Sequence, residues 1–367
     1  SEWIGGRFAH KMMALAGVTT ALDMAGPIDG VLNIARDYGA GLNLASLQYV
    51  RPGFTVRDAD PSRTELIDLL DISLEAGAIG LKILGGHFPL TKQATALAIE
   101  LAHEKNAYIA MHAGTLESGS DIDGFHEVLA LANGKAVHIA HINSYCRGSV
   151  KDYMVETEEA LNALSQCPNI SSESYLSRIN GTSAKCSNGI PESLVTSRWL
   201  MFGGFDTTEQ GMEKAILSGW AQINVESGGT MILATGKTGI DWWRKNDTDT
   251  TVSFSANPPE PRIRLATAKD EFDQFIVDCI STDGGGIPRN SIVEMGLGLV
   301  RIEALGMKEF VIKTSRNPAN ILGLKNKGHL TVGADADITV VDLERLRPYM
   351  SLGNGRLISY RGHVCGK

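Results

Sequence analysis

Short apolar runs alternate with longer helix-like stretches through most of this sequence, and this alternation is the feature that most constrains its fold. The runs typical of strands are residues 18–24, 41–50, 78–84, 108–112, 136–143, 169–176 and 277–282. Helical stretches lie before several of them, at 8–15, 65–75, 92–105 and 122–132. This order predicts a parallel sheet with crossover helices. The first five strands recur at about 30 residues, the length of one βα unit. We therefore expect an α/β fold of the TIM (β/α)8-barrel type, with seven strands found and one missing.

Two segments interrupt the alternation. Residues 177–274 are too long for a single crossover, and a long insertion near an active face is often a lid or a substrate-specificity region. Residues after 325 change to short strands separated by turns. We therefore expect a barrel domain over 1–325 that contains the insertion, and the C-terminal part of a small β-sandwich over 326–367.

Composition narrows the class of protein. The chain has 367 residues, of which 43% are hydrophobic and 21% charged, as is usual for a globular protein. A net charge of −8 argues against nucleic acid or a membrane surface as the main partner. No apolar run reaches the roughly 18 residues of a membrane helix, and no signal peptide is visible. Five scattered cysteines without a CxxC pair favour reduced thiols, so we expect a cytoplasmic protein.

Four ionisable residues lie in or just after predicted strands: Lys82, His112, His141 and Asp283. In a βα barrel such positions meet at one face, where catalytic groups lie. Imidazole and carboxylate groups suit zinc, manganese or iron(II). A lysine ammonium is not a metal ligand, so Lys82 would bind a metal only as a carbamate.

Each of these residues also has a structural explanation. A histidine on an apolar strand is most often a hydrogen-bonded core residue, Lys82 an ion-paired lysine, and Asp283 a helix cap. His138 lies three residues before His141, so we expect the two to point to opposite faces and at most one to face the interior. The occurrence of all four candidates in this order favours a site.

Motifs in the last third of the chain carry a family resemblance. TSRNPANILGL (314–324) and KGHLTVGADADITVVDL (327–343), with GVTT (17–20) and GLKI (80–83), resemble the amidohydrolase superfamily, and within it the cyclic amidohydrolases, hydantoinases and D-aminoacylases. The resemblance implies that Lys82 is a carboxylated lysine and that His112 and His141 are ligands after the fifth and sixth strands. It also implies that Asp283 is the aspartate after the eighth.

The chain departs from the family in one respect. The family carries a His-x-His pair at the end of its first strand, and this sequence has none. The N-terminal sandwich strands are also missing. We expect that this piece is absent from the chain or is supplied by a separate polypeptide.

The resemblance implies metal-dependent hydrolysis of an amide or cyclic amide C–N bond by metal-activated water. One or two divalent metals per barrel, most simply zinc with manganese or iron as alternatives, would be held by carbamylated Lys82, His112, His141 and Asp283. Asp283 would move the proton. The alternatives are a ring deaminase of the same superfamily and a catalytically inactive scaffold. The resemblance also implies that the protein is a homo-oligomer.

Loops after the predicted strands supply candidates for binding a small amide substrate: His87, Ser144, Tyr145, Arg147 and Arg178. Arg178 follows the seventh strand and would bind a carboxylate bidentately, or it is a surface loop arginine. Glu173 is a polar core residue or a pocket group.

Overall fold

Parallel strands form the centre of the molecule in the computed structural model, which describes residues 6–365. In chain order the strands are β1 (Thr20–Asp23), β2 (Asn43–Ser46), β3 (Gln48–Val50), β4 (Gly80–Leu84), β5 (Tyr108–His112), β6 (Val137–Ile139), β7 (Ile170–Tyr175), β8 (Asn180–Ser183), β9 (Cys186–Ser187), β10 (Ile190–Pro191), β11 (Ala221–Ser227), β12 (Thr230–Ala234), β13 (Thr251–Phe254), β14 (Cys279–Ser281), β15 (Ile338–Asp342), β16 (Arg347–Gly353), β17 (Arg356–Tyr360) and β18 (His363–Val364). One parallel sheet has the order β14-β7-β6-β5-β4-β3, and β1 pairs in parallel with β2. Only Leu47 separates β2 from β3, and its N–H donates to the carbonyl of Asp23 (2.9 Å), so β1 continues the same surface.

Helices pack on this sheet and on the other parts of the molecule. They are α1 (Gly6–Leu15), α2 (Ile28–Tyr38), α3 (Arg63–Glu75), α4 (Lys92–Glu104), α5 (Ile122–Ala132), α6 (Tyr153–Ser165), α7 (Leu194–Phe202), α8 (Glu209–Ser218), α9 (Gly236–Lys245), α10 (Pro259–Thr267), α11 (Ile292–Arg301), α12 (Met307–Val311) and α13 (Asn317–Ile321). The crossover helices α3 to α6 begin at side chains that accept backbone N–H groups: Ser62, Thr91, Asp121 and Asp152. Such caps satisfy donors that a helix end leaves unpaired. The apolar core lies between these helices and the sheet.

The predicted α/β fold with a parallel sheet is confirmed. Strand β5 and helix α5 have the predicted bounds, and each other predicted strand contains an observed one. Within residues 6–365, however, no strand pairing joins β1 to β14, so closure of a barrel is not seen.

The insertion predicted over 177–274 has a core of its own. Strands β12, β11, β13 and β8 form an antiparallel sheet, and helices α7, α8 and α9 pack on it. Trp243, Phe254 and Trp199 are buried in its apolar cluster. Helix α7 also reaches the central cavity, through Leu194, Arg198 and Trp199.

The last described residues form one four-stranded antiparallel sheet, in the order β15-β16-β17-β18. Asp337 ties it to the first strands, because its carboxylate accepts hydrogen bonds from Asn43 Nδ2 (2.9 Å) and Lys327 Nζ (2.5 Å). A second sandwich layer is not described among residues 6–365. No helix in that part of the chain has the length and apolar character needed to cross a bilayer.

Candidate active site

A cavity of about 920 Å³ lies at the inner face of the parallel sheet, toward the carboxyl ends of its strands. Six ionisable side chains on its wall come from five strands or the residues just after them: Lys82, His112, His138, His141, Glu173 and Asp283. The four candidates predicted in or just after strands therefore line one cavity.

His141 is held by the carboxylate of Glu173. Its backbone N–H donates to Glu173 Oε1 (2.8 Å), and its ring Nδ1 lies 2.9 Å from the same oxygen. Burial alone would raise the pKa of Glu173, but the charge and hydrogen bonds of His141, with His138 and Ser281, lower it to about 2. The buried carboxylate therefore stays ionised and fixes the orientation of the imidazole.

The expectation that at most one of His138 and His141 faces the interior is wrong. Both line the cavity. Strand β6 ends at Ile139, and His141 adopts a left-handed backbone conformation with φ of 49°. The two-residue alternation of a strand no longer applies beyond that point.

His112 is the last residue of β5 and is in contact with the other histidines. Its Nε2 lies 2.8 Å from Ser120 Oγ, and its ring centroid is 5.1 Å from that of His141. Burial and the neighbouring positive groups lower the pKa of His112 well below its usual value, so the ring is neutral. Gly86 makes room for it, since a Cβ at that position would lie 2.7 Å from His112 Nε2.

Lys82 lies in the middle of β4 with 1% of its surface exposed. Its Nζ is 3.8 Å from Met24 Sδ. Burial lowers the pKa of Lys82 to about 8, although the charges of Glu173 and Asp283 act in the opposite direction. The uncharged fraction of this amine at neutral pH is therefore small, about a tenth, but far larger than that of an exposed lysine.

Asp283 follows β14 and bridges two partners. Its Oδ1 lies 3.5 Å from His141 Nδ1, and its Oδ2 lies 2.8 Å from Arg289 Nη2. The Arg289 guanidinium is almost fully buried and also donates to Tyr175 OH (3.3 Å) and the Ile179 carbonyl (3.2 Å). The sequence reasoning missed Arg289; its place shortly after Asp283, in the Gly-rich segment GGGIPRN, was the available signal.

Three of the predicted substrate-binding residues line the cavity: His87, Ser144 and Arg147. Arg147 is anchored, since its Nη2 donates to Ser144 Oγ and Tyr175 OH, both at 3.1 Å. Burial lowers the pKa of His87 to about 4.

Tyr145 and Arg178 lie elsewhere. The Tyr145 hydroxyl donates to the Ala140 carbonyl and accepts from the Ala113 N–H, both at 2.8 Å, and the residue is buried beneath the wall. The Arg178 side chain is exposed and is not part of the cavity wall.

The donor set fits a metal in one particular way. Within residues 6–365 no three or more His, Cys, Asp or Glu side chains are placed to hold a metal by themselves. His112 Nε2 faces Ser120 and His141 Nδ1 faces Glu173, which leaves one nitrogen on each ring for a ligand bond. A carbamate oxygen on Lys82 would be the third donor of a zinc-type site.

Comparison with known proteins supports the family resemblance that the motifs carry. The model of the "Amidohydrolase family" matches residues 255–359, a segment that contains Asp283 and Arg289. A dihydroorotase of Desulforapulum autotrophicum is 38% identical over an alignment of 109 residues, and the match covers 24% of this chain and 25% of that protein. The matched stretch is thus about a quarter of the relative's length.

Two solved structures share the fold. An N-acyl-D-glutamate deacylase from Bordetella bronchiseptica, complexed with zinc and a phosphonate inhibitor, is 14% identical with a TM-score of 0.64, over 95% of this chain and 81% of that one. A chain of the formyltransferase/hydrolase complex of Methylorubrum extorquens is 17% identical with a TM-score of 0.62, over 99% and 72%. At these identities the likeness concerns the fold alone. The family model over residues 255–359, the dihydroorotase match and the shared fold together support membership of the chain in the amidohydrolase superfamily.

Proposed function

We propose that this protein hydrolyses a C–N bond in an amide or cyclic amide with the help of a divalent metal. The observation that carries the proposal is the convergence of Lys82, His112, His141 and Asp283 on one cavity wall. The match to a dihydroorotase supports a cyclic amide, and the likeness to an N-acyl-D-glutamate deacylase supports the broader class of amides.

Zinc is the metal that these donors favour, with manganese or iron(II) as alternatives and one or two ions per barrel. His112, His141 and a carbamate on Lys82 would hold it. When bound, the metal supplies a Lewis acid for the amide carbonyl and activates water. To form the carbamate, the uncharged Lys82 amine makes a C–N bond to the carbon of CO2. One C=O bond then becomes C–O⁻, and the displaced N–H proton passes to solvent.

Asp283 is the residue that moves protons in this proposal. One carboxylate oxygen faces His141 while the other is engaged by Arg289 at 2.8 Å, so the group is fixed in one orientation. It would accept a proton from water and donate it to the leaving nitrogen. Arg289 and Glu173 act as positioning residues, the first on Asp283 and the second on His141.

The same cavity wall supplies the residues that would contact the substrate. Ser144 and Arg147 present a hydroxyl and a guanidinium to the cavity, and His87 presents a neutral imidazole. A carboxylate on the substrate would bind Arg147. Tyr145 and Arg178 remain predictions from the sequence, now with no place on this wall.

Association with other polypeptides belongs to the same proposal. Further copies of this chain, and a separate polypeptide carrying the His-x-His ligands, are the partners we propose. Likeness to one chain of a multi-protein formyltransferase/hydrolase complex supports the second. Intact mass of all chains in the native protein would detect it.

Replacing Asp283 by asparagine tests the reaction. With hydantoins, dihydropyrimidines and N-acyl amino acids as substrates, the Asp283→Asn variant should lose at least about a hundredfold in kcat, the usual size of a general acid–base contribution. It should keep its metal by elemental analysis. Asp68→Asn, at an exposed position on α3, is the matched control. Normal turnover in Asp283→Asn would exclude the role.

One observation favours a second candidate, an inactive scaffold. It is the lack of three or more His, Cys, Asp or Glu side chains placed around one point in the described residues. Purified protein with neither bound metal nor activity on any of these amides would favour the scaffold.

A further inference from the structure

His138 lies deep in the same cavity, and the proposed reaction gives it no role. It is 5% exposed, in the middle of β6. Its Nδ1 lies 2.9 Å from Ser171 Oγ. Its Nε2 is buried and has no hydrogen-bond partner among the described residues. A buried polar atom without a partner costs free energy, so it calls for a ligand that the protein side chains do not supply.

Strand register places this atom beside Lys82. Lys82 pairs with Ala110 on β5, and Ala110 pairs with His138 on β6. Residues in register on parallel strands share a face, and two strand spacings put the Lys82 and His138 backbones about 10 Å apart. Ala110 between them carries only a methyl group. The two long side chains therefore border the same space above it, and both are on the cavity wall.

The charges around this space are unfavourable for a second anion. Glu173 and Asp283 both act electrostatically on Lys82. A carbamate would replace the lysine amine by an anion facing these two carboxylates. A buried anion needs opposite charge or hydrogen-bond donors, so a donor beside the carbamate would add to the stabilisation that a metal supplies.

We propose that His138 donates a hydrogen bond from Nε2–H to a carbamate oxygen on Lys82, and so positions and stabilises that modification. This inference rests on the carbamate in the proposed function. It requires the tautomer in which Nδ1 accepts from the Ser171 hydroxyl, in agreement with the 2.9 Å contact. His138 is thus a positioning residue, since it acts through Lys82.

Carbon-13 NMR of zinc-supplemented protein titrated with ¹³C-bicarbonate measures the carbamate directly. Asparagine at 138 reproduces the Nδ1 position of histidine but not Nε2, whereas glutamine places an amide donor near Nε2. His138→Asn should need about tenfold more bicarbonate for half occupancy, and His138→Gln within about threefold of the wild type, as expected for loss and retention of a hydrogen bond to a charged group. Ile139→Val, which changes the opposite face of β6, should match the wild type.

The outcomes separate this inference from the reaction. Wild-type occupancy in His138→Asn, or a loss in His138→Gln as large as in His138→Asn, would overturn the role of His138. Absence of a carbamate on the wild-type protein would overturn it together with the proposed ligand set. A His138-dependent carbamate on a protein that cleaves no amide would support this inference and reject the proposed reaction.

Discussion

Replacing Lys313 by methionine should remove a pH dependence from the free energy of unfolding. Lys313 is fully buried behind β14, where its Nζ donates to the Val277 carbonyl (2.6 Å) and lies 4.2 Å from the centre of the Phe275 ring. Burial lowers its pKa from 10.5 to about 7, while the charges of Cys279 and Asp278 oppose the shift. The folded protein therefore favours the neutral form of the Lys313 amine, which is protonated in the unfolded chain.

The direction of the change in unfolding free energy with pH follows from proton binding. Between the two pKa values the unfolded chain binds more protons than the folded protein, so the free energy of unfolding increases with pH. Each pKa unit corresponds to about 1.4 kcal/mol, which gives a rise of about 2 kcal/mol from about pH 7 to about pH 9 for this group. Methionine has no proton to bind. It also loses the hydrogen bond to Val277, a penalty of about 1 kcal/mol that is the same at every pH.

Urea denaturation of the two proteins across this pH range is the assay. The difference in unfolding free energy, wild type minus Lys313→Met, should increase steadily with pH. Lys214→Met, at an exposed position on α8, controls for removal of a lysine charge. Two curves that stay parallel within about 0.5 kcal/mol would refute a depressed pKa for Lys313, since that is a small part of the expected change.

Two further substitutions probe close contacts. Gly86→Ala places a methyl group 2.7 Å from His112 Nε2 and would push the imidazole away from Ser120, so zinc binding should weaken about tenfold. Gly298→Ala, with open space around its Cβ, is the control. Unchanged zinc affinity in Gly86→Ala would contradict the contact. Asp337→Ala removes one of the two carboxylate partners of Lys327, the other being Asp335, together with the acceptor of Asn43, and should lower the urea unfolding free energy by about 2 kcal/mol. A loss below about 0.5 kcal/mol would mean that the ion pair is as weak as an exposed one.

The sequence alone was sufficient to predict the parallel sheet and the ionisable residues that lie in or just after its strands. Apolar runs marked the strands, and parallel strands bring their carboxyl ends to one edge, so Lys82, His112, His141 and Asp283 could be grouped without a structure. These predictions needed only local patterns and one rule of topology.

Other parts of the site depend on contacts between distant segments. Arg289 lies in irregular backbone, and its burial depends on Tyr175 and Asn180, more than 100 residues earlier. No local period marks such a residue. His138 was misjudged because alternation was extended past Ile139, where β6 ends. The fold of the insertion was also unpredicted, since its sheet pairs β8 with β13 across about 70 residues.

That pairing has an evolutionary consequence. Asn180 at the start of β8 lies directly opposite Phe254 at the end of β13, so the two ends of the insertion lie at neighbouring points. Opposed residues in an antiparallel pair are only about 5 Å apart, a gap that a tight turn can close. The segment can therefore gain or lose residues in the course of evolution without disturbing the strands that carry the histidines.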